Sequence, residues 1–285
     1  MKSHQLKLRL APWALLAVAA AWGLAFVVMK GPIERQSVSN FLFDRFIAAV
    51  IVMALLRPTI FRLFTKDLVL RGVAAGTFLG AGYLLQTMGL ERTGAAITGF
   101  ITGLYVVATP VLAALLFREK ISRLTKLCVA LATLGLALLS IHGWSIGIGE
   151  LYVLGSAIAF GAHILALSKW SAGRDAYAMT LVQLATCAVL SSIFAAREGF
   201  IAPPDAQVWW AIAFTAVICT AVAFIVQTWS QAHMSATKVA VILTMEVVFA
   251  AIFAVIFGGE ILTLQILIGG LLVMIAMFTI VVKES

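Results

Sequence analysis

Charge is the scarcest resource in this chain. Of 285 residues only 11% are Asp, Glu, Lys or Arg, and the acids number 12. A soluble protein of this length carries about 25% charged residues, so a water-facing surface all round is excluded. No long polar, Gly/Pro-rich stretch is present, which excludes soluble domains joined by linkers. Cysteine is rare, and Cys128, Cys187 and Cys219 all sit in apolar runs. Their spacing excludes a disulfide framework or a metal set and reads as buried free thiols. There is no Gly-x4-Gly-Lys-Ser/Thr phosphate loop, so nucleotide-driven work is not expected. Nor is there a His-Glu-x-x-His, and His4, His142, His163 and His233 are scattered, so neither a metal site nor a catalytic set is expected. No cofactor is implied. The formal charge of +8 comes in short clusters between apolar runs, with no basic stripe, so nucleic acid is not an expected partner.

What is present is apolar length. Hydrophobic residues make up 63% of the chain. A bilayer core needs about 20 apolar residues as a helix, and that ruler predicts ten spans. They cover residues 11–29, 40–56, 68–88, 93–117, 124–141, 149–169, 176–195, 207–230, 235–257 and 262–282. The first has the charged start of a signal peptide, but nine further spans favour a retained helix. The expected class is an all-α integral membrane protein with short connections.

Lys and Arg set the orientation. One side carries Lys2, Lys7, Arg9, Arg57, Arg62, Lys66, Arg71, Arg118, Lys120, Arg123, Lys126, Lys169, Arg174, Lys238 and Lys283. The other carries Lys30, Arg35, Arg92 and Arg197, with Arg45 inside span 2. This bias predicts that both termini are cytoplasmic.

The chain also repeats. "QTMGLERTGAAITGF" from Gln86 returns as "QTWSQAHMSATKVAV" from Gln227, 141 residues later, and the same offset joins Glu119 to Glu260. An offset of 138 pairs "AAAWGLAF" with "SAIAFGAH". Five spans per half force the halves to insert upside down relative to each other. Two inverted five-helix repeats, 11–141 and 149–282, are therefore expected, the architecture of many secondary transporters.

Trp22-Gly23, Gln86 ahead of "MGLERTGAAITGFITGLYVVATPVLAALL", and the frame "MEVVFAAIFAVIFGGE" (245–260) resemble the EamA family of the drug/metabolite transporter superfamily. The resemblance covers essentially the whole chain in two copies. It implies efflux of amino acids or related small molecules, with drugs as a further class, across a bacterial inner membrane. Family members commonly carry Pro after the glutamate of span 9, where this chain has Val247. Without that proline, span 9 is expected to run unbroken, the residue-247 amide bonding the Leu243 carbonyl.

Candidate substrate-binding residues are those that lipid would penalise. Glu246 lies roughly 16 Å into span 9 at ~1.5 Å per residue, where a charge costs about 2.5–3.5 kcal/mol. It is either a substrate-cation or proton site, or a protonated acid pinning two helices. His163 suits a proton relay or a substrate contact, or an imidazole tied to a neighbouring helix. Arg45 suits a bidentate clamp on a carboxylate, with snorkelling to the outer interface as the rival; neighbouring Asp44 points about 100° away. Gln86 and Gln227 are read as vestibule or interhelical residues. Trp22, Phe26, Tyr83, Tyr105 and Trp229 are candidate cavity walls. Glu119 and Glu260, at helix ends, fit solvated or gate-closing roles. Gly72, Gly76 and Gly80, and Gly99 with Gly103, read as close-packing stripes. Spans 1, 3, 4, 6 and 8 are expected to share a cavity with Glu246.

The expected partners are a small-molecule substrate, the lipid bilayer and, as a candidate, protons. The rival classes are a channel-like or non-transporting membrane protein and an intramembrane enzyme. The inverted repeat favours a carrier over both.

Overall fold

The computed structural model describes residues 2–117, 122–142, 145–171, 173–233 and 242–283. Glu119 and the expected start of span 9 lie outside them. In lipid every backbone N–H and C=O must be satisfied within its own segment, so apolar runs of this length fold as helices. In chain order these are α1 (Lys2–Arg35), α2 (Val38–Leu56), a 3-10 turn (Pro58–Leu63), α3 (Lys66–Arg92), α4 (Ala95–Thr102), α5 (Tyr105–Phe117) and α6 (Arg123–Ser140). Then follow α7 (Ile148–Trp170), α8 (Ala176–Glu198), α9 (Ala206–Ala216), a π-helical segment (Val217–Val222), α10 (Ala223–His233), α11 (Met245–Ile256) and α12 (Leu264–Lys283). The strands among the described residues are a two-residue antiparallel pair, Ile141–His142 with Ser145–Ile146. Seven helical segments are long and apolar enough to cross a membrane, and three shorter apolar helices, Lys126–Leu139, Met245–Ile256 and Leu264–Thr279, accompany them. Leu55, Leu56, Leu115, Trp210 and Ile261 are large apolar residues on the outside, where only lipid makes them favourable.

Side chains close the helix ends. Ser37 accepts from the Asn40 amide ahead of α2, and Asp175 accepts from the Ala178 amide ahead of α8. Asp205 accepts from the amides of Gln207 and Val208 ahead of α9. Each such cap satisfies a first-turn donor. Asp205 also pairs with Arg35 at 2.7 Å, Asp175 with Arg57 at 3.2 Å, and Arg174 with Asp67. Each pair ties a residue before position 100 to one after position 170. Glu260 reaches back to the start of α4, accepting from Ala95 N at 2.5 Å and Ala96 N at 3.2 Å. Glu260 is thus a helix cap supplied by the other half of the chain.

Small residues bring the helices close. α3 packs between α7 and α8, α2 on α8, α6 on α12, and α11 against both α1 and α4. A Cβ on Gly76 would stand 2.8 Å from the Gln183 carbonyl oxygen of α8, with Gly72 and Gly80 pressed against the same helix. At the α4–α11 crossing, Gly99 meets Ala250 and Gly103 meets Val247 and Met277. The three cysteines are free and buried.

One expectation fails. Span 9 does not run unbroken past Glu246. A turn at Thr244 precedes α11, and the Val247 amide bonds the Thr244 carbonyl at 3.2 Å instead of that of Leu243. The same tightened step, from the Val106 amide to the Gly103 carbonyl at 3.1 Å, separates α4 from α5. Neither step has a proline directly after it, Pro110 lying further on inside α5. Both sit where α4 and α11 cross, with Val247 packed against Gly103, so tertiary packing sets the interruption and the missing proline does not remove it.

Candidate functional site

A partly enclosed cavity opens where α1, α2, α3, α4, α5, α7, α10 and α11 converge. Trp22, Tyr83, Tyr105, Phe160 and Phe224 supply an aromatic lining, and Arg45, Gln86, Thr102, His163, Gln227 and Glu246 the polar groups. Of the residues singled out from the sequence, Glu246, His163, Trp22, Gln86, Tyr83, Tyr105 and Arg45 all line this cavity. Phe26 joins them, whereas Trp229 is not among the lining residues. Gln86 and Gln227 share the cavity and do not mark separate vestibules.

Arg45 is 1% exposed, so it does not snorkel to an interface. Its Nε donates to Thr220 Oγ1 at 2.9 Å and its guanidinium carbon stands 4.7 Å from the centre of the Tyr83 ring. A weak contact to Met29 Sδ at 3.4 Å completes its partners. Among the described residues Arg45 has no carboxylate in ion-pair range. Asp44 instead accepts from Gln36 Nε2 at 2.7 Å, as the angular divergence of adjacent helical positions requires. A cation held by one hydroxyl, a thioether sulfur and aromatic faces keeps guanidinium donors for an incoming anion.

Glu246 is buried in the first turn of α11 and makes no protein hydrogen bond among the described residues. Its proposed alternative role, pinning two helices through a hydrogen bond, therefore has no visible partner. His163, also buried, contacts Gln183 Oε1 through Nε2 at 2.7 Å. Gln86 donates Nε2 to Thr102 Oγ1 at 3.1 Å. The Gln227 side-chain oxygen is buried with no partner, an unmet acceptor of the kind that costs about 1–3 kcal/mol unless a ligand or water fills it.

The lining residues are related by the sequence offsets. The offset of 141 carries Tyr83 to Phe224, Gln86 to Gln227, Thr102 to Leu243 and Tyr105 to Glu246. The offset of 138 carries Trp22 to Phe160, Ala25 to His163 and Phe26 to Ile164. The tightened helix steps obey it too, Gly103 corresponding to Thr244. Phe224, Phe160 and Thr102 were missed as site residues when the sequence was read alone. Adding 141 to Tyr83 or 138 to Trp22 was the available signal for the two phenylalanines.

One local feature breaks the correspondence. The π-helical segment Val217–Val222 interrupts the helix equivalent to α3. Trp22 Nε1 donates to the Cys219 carbonyl at 2.7 Å, and Thr220 next to it holds Arg45. A π turn of this kind often marks a functional site, and no motif in the sequence announces it.

A family model for EamA-like transporters matches twice, over residues 9–141 and 147–282. The chain belongs to the EamA-like transporter family. It is 33% identical over 270 residues to an uncharacterized transporter from Archaeoglobus fulgidus, covering 93% of this chain and 84% of that one. A solved structure described as "Crystal structure of protein" superposes with a TM-score of 0.64 at 15% identity, over 98% of this chain and 96% of its own. That likeness concerns the fold. With its apolar helices, family membership makes this EamA chain a multi-pass membrane transporter.

Proposed function

We propose that this EamA protein is a secondary transporter that exports small zwitterionic metabolites, amino acids or related compounds, across the cytoplasmic membrane by alternating access. In this reading ten spans form two inverted repeats, 11–141 and 149–282, with both termini cytoplasmic. The shorter helices, Lys126–Leu139, Met245–Ile256 and Leu264–Thr279, then complete the count.

The observation that carries the reading is the single cavity whose wall pairs residues from corresponding places in both halves. Its two charged residues come from different halves: Arg45 from the first, Glu246 from the second. They form no ion pair with each other. A substrate bearing both a carboxylate and an ammonium satisfies both, the carboxylate on the Arg45 fork and the ammonium on Glu246. The aromatic lining receives its apolar body. When the cavity is empty, protonation is the cheapest way to neutralise Glu246, which makes a proton the candidate counter-ligand.

Flux through reconstituted vesicles tests the class. Saturable counterflow of a labelled amino acid is the expected result. Ohmic conductance would replace the reading by a channel, and chemical turnover by an enzyme.

A further inference from the structure

The contact between His163 and Gln183 fixes more than a ring position. Gln183 Nε2 donates to the Met179 carbonyl at 3.1 Å, one helical turn back. A carbonyl only accepts, so the amide orientation is forced and Oε1 is the atom turned to His163. The 2.7 Å contact from Oε1 to His163 Nε2 then requires a proton on Nε2. In neutral imidazole the other nitrogen is a pure acceptor. His163 Nδ1 has no protein partner among the described residues, and the residue lines the cavity.

Two more acceptors of the second half stand on the same wall. The Gln227 side-chain oxygen is buried and unpartnered, and the Glu246 carboxylate has no protein hydrogen bond among the described residues. Two opposite ligand chemistries fit part of this cavity. Its six aromatic side chains resemble a cage for a fully alkylated ammonium, which binds through ring faces alone. An alkylated head offers no N–H, however, and would leave three desolvated acceptors unmet. An ammonium with N–H groups supplies donors to them.

We infer that Gln183 is a positioning residue that holds His163 as the Nε2–H tautomer, so that its Nδ1 acts as a fixed acceptor, and that the site selects an ammonium bearing N–H donors over a quaternary one. The tautomer stands on geometry alone; the ligand preference rests on the proposed zwitterion site. His163 is on this account an acceptor for substrate and not a proton relay.

Nitrogen-15 NMR of histidine-labelled full-length protein in lipid nanodiscs decides the tautomer, with the His163 signals assigned by their loss in His163→Asn. The expected spectrum has a protonated Nε2 and an unprotonated, pyridine-like Nδ1. Gln183→Glu, which keeps the acceptor, should preserve it, and Gln183→Leu should yield a mixture of tautomers. A protonated Nδ1 in the parent, or an unchanged spectrum in Gln183→Leu, overturns the positioning role. In parallel, phenylalanine and N,N,N-trimethylphenylalanine are compared by thermal-shift titration of the same protein. The trimethyl compound should bind at least about tenfold more weakly, the loss expected when a buried acceptor goes unmet. Equal affinity overturns the selectivity. Binding of neither compound removes the zwitterion reading instead, while the spectrum still decides the tautomer.

Discussion

The wall that residues 9–141 give the cavity and the wall given by residues 147–282 occupy corresponding places and carry different chemistry. Gln86 and Gln227 are the same residue in both, and the helix steps at Gly103 and Thr244 have the same tightened hydrogen bond. Other residues facing the cavity have diverged. Tyr105 corresponds to Glu246, Ala25 to His163 and Tyr83 to Phe224, while the cation Arg45 belongs to the first wall alone. Duplication has kept the backbone geometry that shapes a central site and released its side chains to become unlike. An identical pair of walls would suit a ligand with two like ends. This pair suits one with an anionic and a cationic end.

The comparison breaks most completely at Glu246. Glu246→Gln keeps size and most hydrogen bonding but removes ionisation. Active transport should fall by about 100-fold or more, the loss of a charge-assisted contact in a desolvated site, and its variation with pH should flatten. The melting temperature should stay within about 4 °C of the parent. Glu246→Asp should keep part of the activity. Parent-like transport by the amide variant would make Glu246 a packing residue.

Arg45→Lys sharpens the opposite wall. It keeps the charge and loses the planar fork and the ring stacking. Affinity for an amino acid should drop about tenfold, with a smaller change for the corresponding amide, because only the carboxylate uses the fork. Equal losses for both ligands would mean that Arg45 serves the fold and not recognition.

The shared backbone step can be attacked at either copy. In Gly103→Ala the new Cβ would meet Met277 Cε and Val247 Cγ2 at 2.6 Å. Overpacking of that kind costs about 1–3 kcal/mol, readable as a lower melting temperature. Thr244→Ala removes atoms at the matching place and should change melting less. The reverse order would show that the two steps have different causes.

The smallest effect is expected outside the cavity. The Arg35–Asp205 pair is more than a third exposed on both partners, so Arg35→Gln should move stability by no more than about 1 kcal/mol. A larger loss, measured by thermal melting, would make the pair a fastening between the halves.

These contrasts also show what the sequence made legible. Arg45, His163 and Glu246 stood out because an ionisable residue inside an apolar run must be compensated, and all three do line one cavity. The repeated segments were visible because Gln86 and Gln227 head nearly parallel strings. The step at Thr244 has no proline to announce it, and packing against α4 makes the step instead. The π-helical segment was hidden for a similar reason: its one extra residue per turn leaves composition untouched. Trp229 was picked as an aromatic of an apolar span, but the sequence alone does not give the phase of a helix that contains such a segment. Gln183 and Thr220, which hold His163 and Arg45, are ordinary polar residues until their partners are known.

The most direct test of the central claim, that this cavity is the substrate site and opens alternately to the two sides, is thiol protection at one position of its wall. Ala25 lines the cavity and corresponds to His163 without carrying a charge. Ala25→Cys is placed in a background with Cys128, Cys187 and Cys219 replaced, and reaction with a membrane-impermeant thiol reagent is followed in sealed vesicles of each orientation. Modification from both sides, slowed by a transported amino acid and unaffected by a non-substrate, is the predicted result. Modification from one side alone, or at a rate that no substrate changes, would contradict it.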